Sequence, residues 1–202
     1  YALMVITLIV LYVGLKKRYS MWKFAKGKCA PFDFSKRLWE RIGYFIENGI
    51  FHKSIMRESF PGTMHFFIFW GFLILAIGTA LVAFQDDIVR PFFKANILQG
   101  GFYLIFSAVL DAAGLVAIIG IVMAIWRRYV TKPSRLDNKT DDAITLVWIL
   151  VVLITGFLVE GARIASTRPD FEVWSFVGWI TSYLFLGLSP DGIKITHKFF
   201  WY

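Results

Sequence analysis

The feature that most constrains the fold is an uncharged apolar run over residues 62–84, GTMHFFIFWGFLILAIGTALVAF. As a helix rising 1.5 Å per residue it would be about 34 Å long, enough to cross a hydrocarbon core of about 30 Å. Three more apolar windows cover residues 1–15, 101–126 and 143–165. Hydrophobic residues make up 57% of the chain, more than soluble domains contain. The sequence therefore predicts an all-α, polytopic transmembrane helix bundle.

Residues 172–188, EVWSFVGWITSYLFLGL, leave the number of spans open. A helix of this length covers about 25 Å, which is short for a crossing. It is also rich in Trp and Tyr, which favour the membrane interface. The pattern favours five spans with an outer interfacial helix, and six spans is the alternative. Because the chain begins and ends within apolar runs, we expect it to be part of a longer polypeptide whose last helix is truncated here.

The net charge of +8 arises from clustered Lys and Arg. Residues 16–61 contain eleven of them against four acidic residues, and residues 127–142 contain five against three. In a membrane chain such clusters mark cytoplasmic segments, so we do not infer nucleic-acid binding. The predicted organisation is a first transmembrane helix at 1–15, a basic cytoplasmic segment at 16–61 and a transmembrane bundle at 62–202.

The basic segment is predicted to contain an amphipathic helix that lies flat on the inner leaflet. Its apolar residues recur at helical spacing, with Ser35 as a candidate N-cap: Leu38, Ile42, Phe45, Ile46 and Ile50. Pro61-Gly62 is predicted to end this helix and to turn the chain into the next span. We expect His52, on the same helix, to lie at the surface or to face a partner.

Five ionisable side chains lie within or at the ends of the apolar windows, where they are costly and usually functional: His65, Asp111, Glu160, Arg163 and His197. A neutral imidazole can hold a haem iron within a membrane without adding charge. Two imidazoles on one iron leave no open position, so such a haem transfers electrons. The alternative for His65 is an imidazole bonded to a nearby carbonyl or placed at headgroup level.

The acidic candidates are open to more than one interpretation. Asp111 lies on the side of its helix opposite a stripe of small residues that includes Ala117, so we expect either a protonated acid bonded to a neighbouring helix or a proton relay. Glu160 and Arg163 are three residues apart and can form an ion pair on one helix face. This pair would be an interfacial salt bridge, the polar end of a quinone pocket or a contact to a haem propionate.

Cys29 is the only cysteine. One thiol cannot form an internal disulfide or supply the ligands of an iron-sulfur cluster. Any such cluster must therefore belong to a partner or to another region of the polypeptide.

Four segments in order resemble a known family: FPGTMHFFIFWGFLILAIGTALV, LDAAGLVAIIGIVMAIWRRYVTKPSRL, DDAITLVWILVVLITGFLVEGARIA and HKFFWY. They are similar to the membrane cytochrome b module related to the gamma subunit of respiratory nitrate reductase. The type in heterodisulfide-reductase-like membrane proteins and membrane-bound electron-transfer-flavoprotein:quinone oxidoreductases is the most similar. The resemblance covers about residues 55–202.

The resemblance implies a haem b protein of the prokaryotic cytoplasmic membrane. Such a protein exchanges electrons between the quinone pool and cytoplasmic iron-sulfur clusters, which lie in a partner or a fused domain. An electron-transfer flavoprotein is a further possible partner.

The resemblance also implies that His65 and His197 are iron ligands, and it leaves Asp111, Glu160 and Arg163 as candidates for quinone, proton or propionate contacts. The chain departs from the nitrate reductase subunit at Leu75, where that subunit has a second histidine, so a two-haem arrangement lacks one ligand. If residues 172–188 are interfacial, the two histidines lie at opposite membrane faces. If those residues span, both histidines can share one haem.

Two other functions are compatible with the sequence. A haem-free membrane anchor could dock a soluble redox enzyme through the basic segment. A proton-coupled transporter could be built around Asp111 and Glu160.

Overall fold

The computed structural model describes residues 2–25, 38–53, 55–134, 136 and 139–201, and these residues form helices and loops with no β-strand. The predicted all-α class is thereby confirmed. The chain divides into two units, residues 1–51 and 52–202. Cys29 and Ser35 lie outside the described residues.

The first unit contains helix α1 (Ala2–Ala25) and helix α2 (Leu38–Phe45), which continues as a π-helical turn over Ile46–Ile50. Charged residues begin at Lys16 and shorten the apolar part of α1. Helix α1 is accordingly not among the described helices that are long and apolar enough to cross a membrane. Its assignment as the first span stays a prediction.

The second unit is built on three long helices, α3 (Ser59–Phe84), α4 (Gly100–Trp126) and α5 (Thr140–Thr167). Within the described part of the chain, these three helices have the length and apolar composition to span a bilayer. Their outward-facing apolar side chains are accounted for if lipid covers them. The polytopic membrane architecture is therefore confirmed.

Helices α3 and α4 pack antiparallel through small residues. A Cβ added at Gly71 would lie 2.8 Å from Ala117 Cβ, and one added at Gly120 would lie 2.8 Å from Ile68 Cγ1. Without a hydrophobic driving force between spans, such close backbone approach supplies the van der Waals contacts that hold them together. The predicted small-residue stripe of α4 therefore faces α3.

Helix α5 packs antiparallel on α4, with Phe157 over Gly114 and Leu153 in a core with Ala117. The start of α3, the end of α4 and the start of α5 thus form one end of the bundle, called here the His65 end. The opposite end, called the Arg163 end, contains the end of α3, the start of α4 and the end of α5.

The segment after α5 stays near the Arg163 end. A 3₁₀ turn (Asp170–Trp174) leads into helix α6 (Phe176–Ser182), a second 3₁₀ turn (Tyr183–Phe185) and helix α7 (Pro190–Trp201). Helix α6 and its continuation to Phe185 cover about 15 Å, half of a hydrocarbon core. This length favours the interfacial interpretation over a sixth span.

Two local predictions were wrong. The amphipathic helix was predicted to continue to Pro61-Gly62, but the chain leaves helical geometry at His52, which has a φ of 53°. Pro61 and Gly62 lie in the first turns of α3. Proline is tolerated there because the first N–H groups of a helix have no intrahelical acceptor.

Candidate functional site

A cleft of about 970 Å³ opens between α3, α4, α5 and α7. Apolar side chains form most of its wall, including Phe72, Leu75, Phe106, Leu110, Leu153 and Phe157. A smaller polar group lines it as well: Gln85, Tyr103, Asp111, Glu160, Arg163 and His197. An apolar cavity of this size with a few converging polar groups is typical of a ligand site. Four of the five ionisable residues singled out from the sequence meet here, and His65 does not.

Asp111 is 2% exposed and holds the start of α6 in place. Its Oδ2 accepts hydrogen bonds from the backbone N–H groups of Val177, at 2.6 Å, and Gly178, at 3.2 Å. The carboxylate thus satisfies N–H groups that the first turn of a helix leaves without partners. Asp111 is thus bonded to a neighbouring helix, α6, as an acceptor, while its protonation and a relay role stay predictions.

Arg163 forms the predicted ion pair with Glu160, at 3.8 Å, but its stronger partner is Glu172. Two guanidinium nitrogens donate to the Glu172 carboxylate at 2.6 and 3.0 Å, a bidentate arrangement. The Tyr103 hydroxyl donates to the same carboxylate at 2.9 Å, and Ser175 donates at 3.5 Å. This network ties α4, α5 and the turn before α6 together at the Arg163 end.

Sequence analysis missed Glu172 and Tyr103. The available signal was an acidic residue at the start of an otherwise apolar segment, nine residues after Arg163. Burial alone would raise the pKa of Glu172, but the hydrogen bonds and charge of Arg163, together with the hydroxyls of Tyr103 and Ser175, outweigh burial and hold that pKa below its usual value. Glu172 is therefore ionised at neutral pH.

Replacing Glu172 with glutamine is expected to lower the free energy of unfolding by about 2 kcal/mol near neutral pH, the typical value of hydrogen bonds to a charged group. Because the pKa of Glu172 is lower in the folded state than in the unfolded state, its contribution is present above the ordinary glutamate range. The contribution is lost as the pH falls through the folded-state pKa, which lies below the ordinary glutamate range. Thermal unfolding in detergent at several pH values measures this difference.

Asp191→Asn is the control for that measurement. Asp191 also pairs with a basic residue, Lys194 at 3.6 Å, but its side chain is 89% exposed. Exposed pairs of this kind contribute little to stability. Equal destabilisation by both variants, or a Glu172→Gln effect that persists in acid, would contradict the assigned role of the buried pair.

His65 lies on the first turns of α3, in contact with His52 at a ring-centroid distance of 4.8 Å. His52 also packs edge-on against Phe69, at 4.4 Å, and is only 7% exposed. The expectation that His52 lies at the surface or faces a partner was therefore wrong. The chain reverses at His52 and folds its ring against α3, a contact that helical spacing alone does not reveal.

His197 lies in the second half of α7 rather than at the start of a helix, because α7 already begins at Pro190. The cleft that it lines reaches α3 only from Phe72 onward, about 10 Å along the helix beyond His65. Two imidazoles that share an iron must each approach it to about 2 Å. The structure therefore does not bring His65 and His197 together.

The described residues fit a haem only in part. The His52 and His65 rings touch edge to face, which leaves no room for a porphyrin between them. One imidazole is thus available to an iron at the His65 end, beside Phe69. The indole Nε1 of Trp70, which packs edge-on against Phe69, is buried without an acceptor in the described part of the chain. In the cleft, His197 is the one described imidazole, and Leu75 occupies the facing wall.

The sequence profile of the nitrate reductase gamma subunit family matches residues 68–200, about two thirds of the chain. The chain belongs to this family. The match includes the cleft, Asp111, the Glu160 to Glu172 region and His197, and it starts three residues after His65. The family resemblance predicted from the sequence is confirmed. The chain is therefore a multi-pass membrane electron-transfer module related to this gamma subunit.

Two curated relatives point in the same direction. Over its full length the chain is 32% identical to the EtfAB:quinone oxidoreductase of Syntrophomonas wolfei subsp. wolfei, and it covers 29% of that protein. It is 24% identical, over 84% of its length, to the probable iron-sulfur-binding oxidoreductase FadF of Bacillus subtilis, of which it covers 24%. The chain thus spans less than a third of each relative. No solved structure matches it.

Proposed function

We propose that this chain is the haem b-containing membrane part of a quinone-linked oxidoreductase in the prokaryotic cytoplasmic membrane. The observation that carries the proposal is the cleft between α3, α4, α5 and α7, in a chain whose family carries electrons within membranes. Electrons pass between quinone in this cleft and a cytoplasmic iron-sulfur partner or fused domain.

The cleft has the two kinds of surface that a quinone requires. Its apolar walls accommodate the quinone ring and the start of the prenyl tail. Burial of these apolar parts of the quinone, away from water or lipid headgroups, favours binding. At its polar side, His197 and Arg163 can donate hydrogen bonds to the carbonyl oxygens of a quinone. Bound in this way, the head group lies close to Glu160.

Haem b is assigned to the His65 end, where the His65 imidazole would hold the iron. A haem with two axial protein ligands supplies one-electron transfer without an open coordination position. The aromatic side chains beside His65 would limit solvent access to such a group. The basic clusters at 16–61 and 127–142 support the assignment of this end to the cytoplasmic face. The haem would then lie on the side where an iron-sulfur partner docks.

The partner assignment rests on composition and on the relatives. Cys29 alone cannot hold a cluster, whereas one relative is described as iron-sulfur-binding and the other as acting with EtfAB. An electron-transfer flavoprotein is therefore a candidate electron donor, through an iron-sulfur domain.

Gly156→Leu tests the cleft. Gly156 lines the cleft, and a Cβ added there meets no atom within 4 Å, so the larger side chain can enter the cleft without displacing a helix. We expect quinone reduction to fall at least about tenfold, as expected when a bulky group obstructs substrate positioning, while b-type absorbance is retained. Quinone kinetics and dithionite-reduced minus oxidised spectra of the purified protein measure the two effects.

Gly101→Leu is the matched control, because Gly101 likewise has no atom within 4 Å of an added Cβ but does not line the cleft. Unchanged quinone kinetics in Gly156→Leu would contradict the placement of the substrate. Absence of any b-type signal in the unmodified protein, with quinone activity retained, would instead favour the haem-free anchor.

A further inference from the structure

Two carboxyl groups meet at the start of α6. Glu160 on α5 packs against Gly178, where an added Cβ would lie 2.7 Å from Glu160 Cγ. Its carboxyl group lies within hydrogen-bonding reach of Asp111 on α4, which in turn accepts the Val177 and Gly178 N–H groups. Both carboxyl groups line the cleft.

Two touching carboxyl groups in mainly apolar surroundings cannot both be ionised, so the pair holds a proton. The Asp111 carboxyl group already accepts two backbone N–H donors at the start of α6. Glu160 has no such backbone donors among its described bonds. Glu160, which lines the cleft, is therefore the member of the pair that is placed to exchange this proton.

The surroundings of Glu160 also allow the proton to leave. Arg163, on the same helix, lies 3.8 Å away and can stabilise a Glu160 carboxylate. The other titratable or charged groups near this position are Asp111 from α4, His197 from α7 and, beyond Arg163, Glu172 and Tyr103. Asp86 and Arg90, which follow α3 and pair with each other at 3.1 Å, also line the cleft. Because Glu172 holds Arg163 in place, the guanidinium remains beside Glu160 in either protonation state.

A second cavity lies on the other side of this network. Its volume is about 470 Å³, its lining includes Gln99, Tyr103 and Glu172, and it shares Tyr103 with the cleft. Arg163 lines the cleft and Glu172 lines the second cavity, so the two cavities meet at the Arg163–Glu172 ion pair. Glu160 therefore lies in the cleft close to a second cavity at the Arg163 end.

We propose that Glu160 is the residue that exchanges protons with quinone bound in the cleft. This inference rests on the proposed function. In the reducing direction, the Glu160 O–H bond breaks and an O–H bond forms on a quinone oxygen, while the electron comes from the proposed haem b carrier. Glu160 regains a proton from water at the Arg163 end, and a second electron and proton complete the quinol. Quinol oxidation reverses each step.

Glu160→Gln in the intact protein, purified with the partners it carries, tests this assignment. Glutamine keeps the size of the side chain and its hydrogen bonding but cannot exchange a proton. We expect quinone reduction to fall about a hundredfold, the scale of a lost general acid, with the b-type absorbance unchanged. The variant should also lose the pH dependence and the solvent isotope effect of the unmodified protein, and Glu160→Asp should restore part of the rate.

Infrared spectroscopy of the unmodified protein supplies a test that does not require a variant to fold. A protonated carboxyl band that shifts on deuterium exchange and changes on quinone reduction is expected, and Glu160→Gln should remove it. Asp191→Asn, an exposed carboxyl outside the cleft, should leave both the band and the rate unchanged.

A rate in Glu160→Gln equal to that of the unmodified protein, or no protonated carboxyl band in the unmodified protein, would overturn the assignment of Glu160. Failure of the proposed function has a different signature, because the unmodified protein would then reduce no quinone.

Discussion

Replacing His65 with alanine is expected to remove the b-type absorbance of the purified protein while leaving it in the membrane fraction. His65 is the histidine of α3 and lies at the predicted cytoplasmic end. Its neutral imidazole can hold a haem iron within the membrane without adding charge. Loss of a residue that only supports a metal ligand already lowers metal affinity about 10- to 100-fold, so loss of the ligand itself should reduce bound haem by at least about tenfold. Reduced minus oxidised spectra and pyridine haemochrome assays measure the haem content.

His52→Ala is the matched control. It removes an equally aromatic ring that touches both His65 and Phe69, but in the observed arrangement this ring cannot lie across an iron from His65. We expect His52→Ala to retain haem. Full haem content in His65→Ala, or haem loss confined to His52→Ala, would show that the ligand has been assigned to the wrong histidine.

Replacing His197 with alanine is expected to have the opposite pattern: haem content unchanged and quinone reduction reduced by at least about tenfold. The reason is position, because His197 lines the cleft with Glu160 and Arg163, whereas His65 lies outside it. Removal of a hydrogen-bond donor to a buried ligand leaves that ligand's oxygen unsatisfied, which weakens binding. Haem spectra and the KM and kcat for a soluble quinone analogue distinguish the two effects.

The same experiment decides between the haem arrangements that the sequence left open, one haem shared by His65 and His197 or two separate haems. Loss of all haem in both His65→Ala and His197→Ala would mean that the two histidines share one iron. Loss of about half of the haem in His197→Ala would mean that His197 holds a second, outer haem and that the cleft is not the quinone site.

Much of the fold follows from local properties of the sequence. Uncharged runs such as 62–84 can satisfy their backbone polar groups in a bilayer only as helices, so the three long spans were predictable within a few residues. The cost of an ionisable side chain in such a run also identified Asp111, Glu160, Arg163 and His197, which the structure gathers in one cleft. Family membership was likewise visible in the order of the apolar segments.

The sequence by itself determined that three long segments are apolar enough to cross the membrane and which side chains are too costly there to be incidental, because both depend on transfer from water to lipid, residue by residue. Only the tertiary structure decided which side chains contact one another. Arg163 forms its closer ion pair with Glu172 rather than with Glu160. Asp111 accepts hydrogen bonds from the start of α6. His52, which helical spacing assigned to the surface, is buried against His65. These contacts depend on how α3, α4 and α5 approach through Gly71 and Gly114 and on where the intervening chain turns, and helical periodicity encodes neither.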